Sequence, residues 1–99
     1  MTTIQIKEQT SDFAEDKDAA ARIREETVRP AIAAGDRVTL DFTGVTLVTQ
    51  SFIHALISDI LRSEGEPALK KLTFKGCAPG VRGIIETVVQ YTLETIDED

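Results

Sequence analysis

The sequence contains no tryptophan, one tyrosine and four phenylalanines among its 99 residues. Proteins that hold single-stranded nucleic acid commonly stack the bases on aromatic rings, so this composition argues against such a platform. Cations are also scarce, with 11 Lys and Arg against 17 Asp and Glu and a formal net charge of −6. Because nucleic-acid binding needs clustered cations that neutralise phosphates, we expect no nucleic-acid partner.

The chain has one cysteine, Cys77, and one histidine, His54. A single cysteine excludes an internal disulfide and a Cys-x-x-Cys redox pair, and these two residues together make a zinc site improbable. No apolar run approaches the roughly 18 residues of a membrane span, and no charged-then-apolar leader is visible. We therefore expect no metal, no cofactor, no membrane association and a cytoplasmic location.

Residues 13–34 carry apolar side chains at the spacing of an amphipathic helix. The spacing of Asp12 from the glutamate three residues later predicts a start near residue 13, with Asp16 or Asp18 as an alternative cap. Pro30 is expected to kink this helix because proline lacks a backbone donor. Gly35 is expected to end it.

A second helix is expected from about Phe52 to Glu64, with Ser51 as its cap and Gly65 beyond its end. The spacing of its residues predicts two stripes. The core stripe is Ile53, Leu56, Ile57, Ile60 and Leu61, and the outer stripe is Ala55, Ser58, Asp59 and Arg62.

Three strand-like runs alternate with the helices. The order strand, helix, strand, helix, strand, helix favours parallel strands joined by right-handed crossovers. We predict one α/β domain over residues 1–99, with a mostly parallel sheet of three or four strands, about three helices and an acidic tail at residues 94–99. The predicted strands are Ile4–Ile6, Val38–Phe42 and Leu69–Lys75, with an optional edge strand at Thr92–Ile96, and the last helix covers residues 81–89.

The loop at residues 43–51 is rich in hydroxyl groups and joins the expected central strand to the second helix. Functional sites of open α/β sheets lie at the carboxyl ends of strands, and a helix N-terminus offers free backbone donors to an anion. Ser51 could cap the helix while the threonines satisfy the loop backbone, or a hydroxyl there could be phosphorylated. Asp41 is expected to accept hydrogen bonds from loop amides.

The chain resembles the STAS-like domain family of bacterial proteins in the run VTLDFTGV at residues 38–45 and in Ser51-Phe52. Residues 20–24 and 72–89 fit the same plan. That family is related to the STAS domains of anti-sigma-factor antagonists and sulphate-transporter tails. The resemblance implies a regulatory interaction module rather than an enzyme, with a protein partner such as a histidine-kinase-like ATPase or an anti-sigma-type regulator.

The antagonists bind that ATPase through the loop and helix after this strand, and phosphorylation of a serine at the helix start abolishes the complex. Their loop typically reads Asp, the phosphorylated Ser, Ser or Thr, and Gly. The present chain has Thr49, Gln50, Ser51 and Phe52 there. Gln50 cannot be phosphorylated, so the resemblance implies the interaction surface at residues 46–62 without the usual switch. The implied surface comprises Thr46, Thr49, Gln50, Ser51, Ala55, Ser58, Asp59 and Arg62, with Asp41 and Gly44 shaping the loop.

Two other function classes stay open at the level of sequence. Ser51 and His54 are three residues apart on the second helix and are potential neighbours, which is the start of a small hydrolase site. No G-x-S-x-G elbow accompanies them. A nucleotide-responsive module is the other class, because pockets at strand ends accept phosphates. A homodimer is compatible with each of these interpretations.

Overall fold

The computed structural model describes residues 1–96, with five strands and five helices in that range. Two of the helices have π-helical turns in their middle parts, at Arg24–Val28 and His54–Ser58. In chain order the elements are β1 (Thr2–Gln5), α1 (Ile6–Gln9), β2 (Phe13–Ala14), α2 (residues 17–33), β3 (Val38–Asp41), β4 (Leu47–Val48), α3 (residues 50–64), α4 (Glu66–Lys71), β5 (Leu72–Lys75) and α5 (Pro79–Ile96).

The main sheet has three parallel strands in the order β1-β3-β5, so the predicted α/β class and the central place of β3 are confirmed. β3 is the most buried strand, with Val38 and Leu40 fully enclosed. β1 covers residues 2–5 rather than the predicted residues 4–6, because Ile6 already begins a short helical turn.

One face of the sheet carries the apolar side chains Ile4, Leu40 and Phe74, and the helices pack on it. Both crossovers, β1 to β3 and β3 to β5, step in the same direction along the sheet. Right-handed crossovers of this kind place their helices on a single face. α3 is the middle helix, because it contacts α2 on one flank and α5 on the other. None of the described helices has the length and apolar character needed to cross a lipid bilayer.

The two π turns lie where α2 and α3 meet. The Nη1 atom of Arg24, in the first turn, donates to the carbonyl of Ala55 in the second at 2.6 Å. The same guanidinium lies 3.4 Å from the Asp59 carboxylate. The π turn of α2 ends two residues before Pro30, and the Arg29 amide bonds to the Arg24 carbonyl across it. A wider turn at this point fits a proline that removes one backbone donor from the helix.

Further sequence-based predictions of the elements are wrong. The first helix begins at Lys17 rather than near residue 13, and Asp16 caps it through bonds from the amides of residues 18 and 19. Phe13 and Ala14 instead form β2, which pairs with β4. Residues 69–71 end α4 and are not part of a strand. Thr92–Ile96 belongs to α5, so no edge strand forms there. Residues 97–99 of the expected acidic tail lie outside the described residues.

Candidate functional site

The turn after β3 is held by the Asp41 carboxylate. Its Oδ1 atom accepts hydrogen bonds from the Thr43 amide at 2.9 Å and from the Thr43 hydroxyl at 2.6 Å. These bonds, with a smaller contribution from the Lys75 ammonium, hold the pKa of Asp41 below its ordinary value. Gly44 follows with a φ of +84°, a backbone conformation that glycine adopts without steric cost. The loop therefore leaves β3 in one defined direction.

A neighbouring turn packs closely against this one. Gly76, at the end of β5, has a φ of +68°, and a Cβ built there would overlap the Thr43 hydroxyl and lie 2.9 Å from the Thr43 amide nitrogen. The same Cβ would lie 3.1 Å from Oδ1 of Asp41. Only glycine fits at this position without a shift of the backbone, so the turns at the carboxyl ends of β3 and β5 pack in direct contact.

The hydroxyl-rich loop is tied to the chain ahead of α2. The Thr46 amide and hydroxyl both donate to the carbonyl of Asp12, at 2.8 Å and 3.2 Å. Leu47 and Val48 then pair with β2, and Leu47 remains 59% exposed. This parallel ladder presents the apolar side chains of Phe13 and Leu47 side by side at the surface.

Thr49 caps α3, and the prediction that Ser51 is the cap is wrong. The Thr49 hydroxyl accepts a hydrogen bond from the Phe52 amide at 3.1 Å, and the helix begins at Gln50. Pairing with β2 holds Val48 in an extended conformation. The helix then begins at Gln50, two residues earlier than the apolar stripe of α3 indicates. Gln50 and Ser51 consequently occupy the exposed first turn of α3.

A cleft of about 430 Å³ opens beside this first turn, and we call it the α3 cleft. Three of its lining residues come from other helices. Lys17 is the first residue of α2, and Val88 and Tyr91 lie on α5, where Tyr91 has 55% of its surface exposed. Sequence reasoning missed all three as site residues, since none lies near the loop in the chain. The α3 cleft is lined by Lys17, Gln50, Ser51, His54, Ala55, Val88 and Tyr91.

The outer stripe of α3 is less accessible than its spacing predicts. Ser58 is fully buried, and its hydroxyl lies 3.0 Å from that of Thr92 on α5. Its predicted place on the outer face is wrong, because α5 covers that flank. Asp59 is exposed but belongs to the ion pair with Arg24, and Arg62 is exposed near the far end of the helix.

Ser51 and His54 both line the α3 cleft, as a small hydrolase site would require. None of the lining residues is a carboxylate that could orient His54. Cys77 lies outside this cleft, and partial burial raises the pKa of its thiol. Among residues 1–96, His, Cys, Asp and Glu form no group of three suited to a metal ion. The α3 cleft therefore offers polar and apolar side chains for binding contacts.

A family model described as "STAS-like domain of unknown function (DUF4325)" covers residues 19–82, from α2 to the first turn of α5. No curated protein and no solved structure matches the chain significantly. The matched range includes β3, the hydroxyl-rich loop and α3, and a STAS-like domain suggests a regulatory module at a coarse level. Because the match spans well over half of the chain, this protein belongs to the family of STAS-like domains.

Proposed function

We propose that this STAS-like domain is a regulatory module that binds a protein partner through the first turn of α3 and the α3 cleft. The observation that carries the proposal is the cap of α3. Because the Thr49 hydroxyl accepts the hydrogen bond that caps α3, neither Gln50 nor Ser51 is needed as a cap, and both side chains are exposed. The exposed side chains of Leu47 and Tyr91 flank them and supply apolar contact area.

The partner class comes from the resemblance to the anti-sigma-factor antagonists. Those proteins present the equivalent loop and helix to a histidine-kinase-like ATPase or a related regulator. In the present chain Thr46 is tied to Asp12 and Thr49 is the cap, so both shape the surface from within. We assign the direct contacts to Gln50, Ser51 and Ala55, which line the cleft, together with Tyr91.

The regulatory switch of this module differs from that of the antagonists. Gln50 stands at the acceptor position and has no hydroxyl, so the usual phosphate transfer has no target. We expect no phosphate on the purified chain after incubation with ATP and its cognate ATPase. Mass spectrometry that finds phosphate on Ser51 or Thr49 would contradict this and would show that the acceptor has shifted.

The experiment that tests the proposed function is a binding titration. Each histidine-kinase-like ATPase encoded beside the gene is titrated by calorimetry with the wild-type chain and with two aspartate variants. Ser51→Asp introduces a charge at the proposed surface, and because the helix N-terminus favours an anion, the variant stays folded. We expect it to bind about tenfold or more weakly, since charge mismatch at an interface is costly.

Thr73→Asp is the matched control, because Thr73 is exposed on the strand β5, where its neighbours Leu72 and Phe74 face the helices. The control adds the same charge and is expected to bind as the wild-type chain does. A folded Ser51→Asp variant that binds normally would remove the first turn of α3 from the interface. Failure of the wild-type chain to bind any of these ATPases would overturn the partner class.

A further inference from the structure

An apolar groove lies on the far side of α5 from the α3 cleft. Its volume is about 350 Å³, and α4, β5 and α5 form its walls. We call it the edge groove, because β5 is an edge strand of the main sheet. The apolar lining consists of Leu69, Phe74, Cys77, Ile85, Val89 and Leu93, and the polar lining consists of Arg82, Glu86 and Gln90.

The edge groove exposes a second apolar stripe of α5. Val81 and Val88 belong to the first stripe and are buried in the core. Val89 and Leu93 are half-buried and point to the groove. A surface helix of a globular domain usually carries one apolar stripe that faces the core. The apolar members of this second stripe are Ile85, Val89 and Leu93. Ile85 is buried in the core, so the accessible part runs from Val89 to Leu93, about 6 Å along the helix at 1.5 Å per residue.

Charges of opposite sign lie at the two ends of this stripe. Lys75, at the end of β5, and Arg82, in the first turn of α5, are exposed cations. Arg82 contacts Glu86 at 3.9 Å, but both side chains are more than 60% exposed, so this pair is weak and can be exchanged. At the other end Glu94 is exposed, and three further carboxylates follow it in the sequence at positions 97–99.

This charge pattern is complementary to itself when one copy is reversed. In an antiparallel pair of α5 helices, the basic end of each helix lies beside the acidic end of the other, and both ends are matched at once. A parallel pair would place like charges together. A two-fold axis through the pair gives this antiparallel arrangement and makes the interface closed.

We propose that the edge groove is a self-association surface, in which α5 of a second copy packs antiparallel on the apolar stripe of α5. With Val89 near the two-fold axis, Leu93 of each copy enters the edge groove of the other, where the buried Ile85 lines the bottom. Arg82 then lies beside the acidic end that begins with Glu94. This surface is on the opposite flank of α5 from the α3 cleft, so the proposal stands independently of the proposed function.

The first test measures mass and thiol reactivity together. We expect the molar mass from light scattering to rise from monomer to dimer as the chain concentration rises from micromolar to several hundred micromolar. Cys77 lines the groove, so its alkylation by iodoacetamide should slow in parallel. A chain that stays monomeric overturns the proposal. A dimer that leaves Cys77 reactivity unchanged places the interface elsewhere and also overturns it.

The second test uses substitutions. Leu93→Glu should abolish the dimer, whereas Leu47→Glu, at an exposed leucine outside the groove, should leave it intact. Arg82→Glu should weaken the dimer by about tenfold or more, because it puts like charges together. Adding Glu94→Lys to that variant should restore most of the affinity, and both sites are exposed, so folding is preserved. Absence of rescue, or an equal loss in the Leu47 variant, contradicts the antiparallel arrangement.

Discussion

The hydroxyl groups of Thr49 and Ser51 have different structural roles, although the two residues are only two positions apart in the sequence. The Thr49 hydroxyl accepts the Phe52 amide, whereas Ser51 is exposed on the first turn. Thr49→Ala should therefore lower the free energy of unfolding by about 1 kcal/mol, the usual cost of a lost cap. Ser51→Ala should change it by less than about 0.5 kcal/mol, as for other surface substitutions.

Urea denaturation of the two alanine variants separates these outcomes, with Thr49→Ser as the control that keeps the cap. The serine variant should retain most of the stability, because serine caps at least as well as threonine. A larger loss for Ser51→Ala than for Thr49→Ala would mean that the helix begins after Ser51, as its apolar stripe alone indicates.

At the scale of elements, α3 and α5 are joined by one buried polar contact. Ser58 and Thr92 are both fully buried and share a hydrogen bond of 3.0 Å. Ser58→Ala leaves the Thr92 hydroxyl without this partner and should cost about 1–3 kcal/mol. Combining Ser58→Ala with Thr92→Val removes both polar groups at similar volume and should recover much of that loss. Thermal and urea unfolding of the single and double variants measure the coupling.

Ser58→Arg tests the burial of this position more strongly than Ser58→Ala does. On helical spacing alone, Ser58→Arg would be a harmless surface change. In the folded chain it would place a guanidinium between α3 and α5 without a counter-charge, at a cost of more than about 3 kcal/mol. An arginine variant that unfolds at the wild-type urea concentration would show that α5 does not cover this flank.

The sequence predicts an element well when the element's own residues determine it. It predicts poorly those features that depend on contacts with distant parts of the chain. The core stripe of α3 follows from its spacing, and Leu56 and Ile60 are indeed fully buried. β2 and β4 have two residues each, which is too short to show any periodicity. The burial of Ser58 depends on α5, and the α3 cleft depends on Lys17 and Tyr91, which enter only through packing between helices. The family resemblance indicated where the loop lies, but it did not indicate that Thr49 caps α3.

For the whole molecule, exposed carboxylates make stability depend on pH. Hydrogen bonds from Arg24 and Arg29 hold the pKa of Glu25 below its ordinary value, and the hydrogen bond from the terminal ammonium group does the same for Asp36. The pKa of Asp41 is lowered by its bonds from Thr43. A carboxylate with a lower pKa in the folded chain stabilises it above the unfolded pKa, and this is lost on protonation.

The free energy of unfolding should therefore be nearly constant above about pH 5 and should fall as the pH drops below about 4. Asp41→Asn removes one of the three carboxylates whose pKa is lowered in the folded chain, so its profile should fall less steeply. Urea unfolding at a series of pH values gives both curves. Identical slopes for the variant and the wild-type chain would mean that the Asp41 bonds do not distinguish the folded from the unfolded state.

The register of the sheet has a consequence for the order in which this chain folds. β3 pairs with β5 at Val38↔Leu72, and the contacts Ser58–Thr92 and Thr46–Asp12 each join residues 34 positions apart. Each of these contacts closes a long loop, so it can form only after both of its segments have been made. During synthesis β3 can pair with β1 well before β5 has been made. During synthesis, the edge groove and the contact between Gly76 and Thr43 can therefore form only after β1 and β3 are already available to pair.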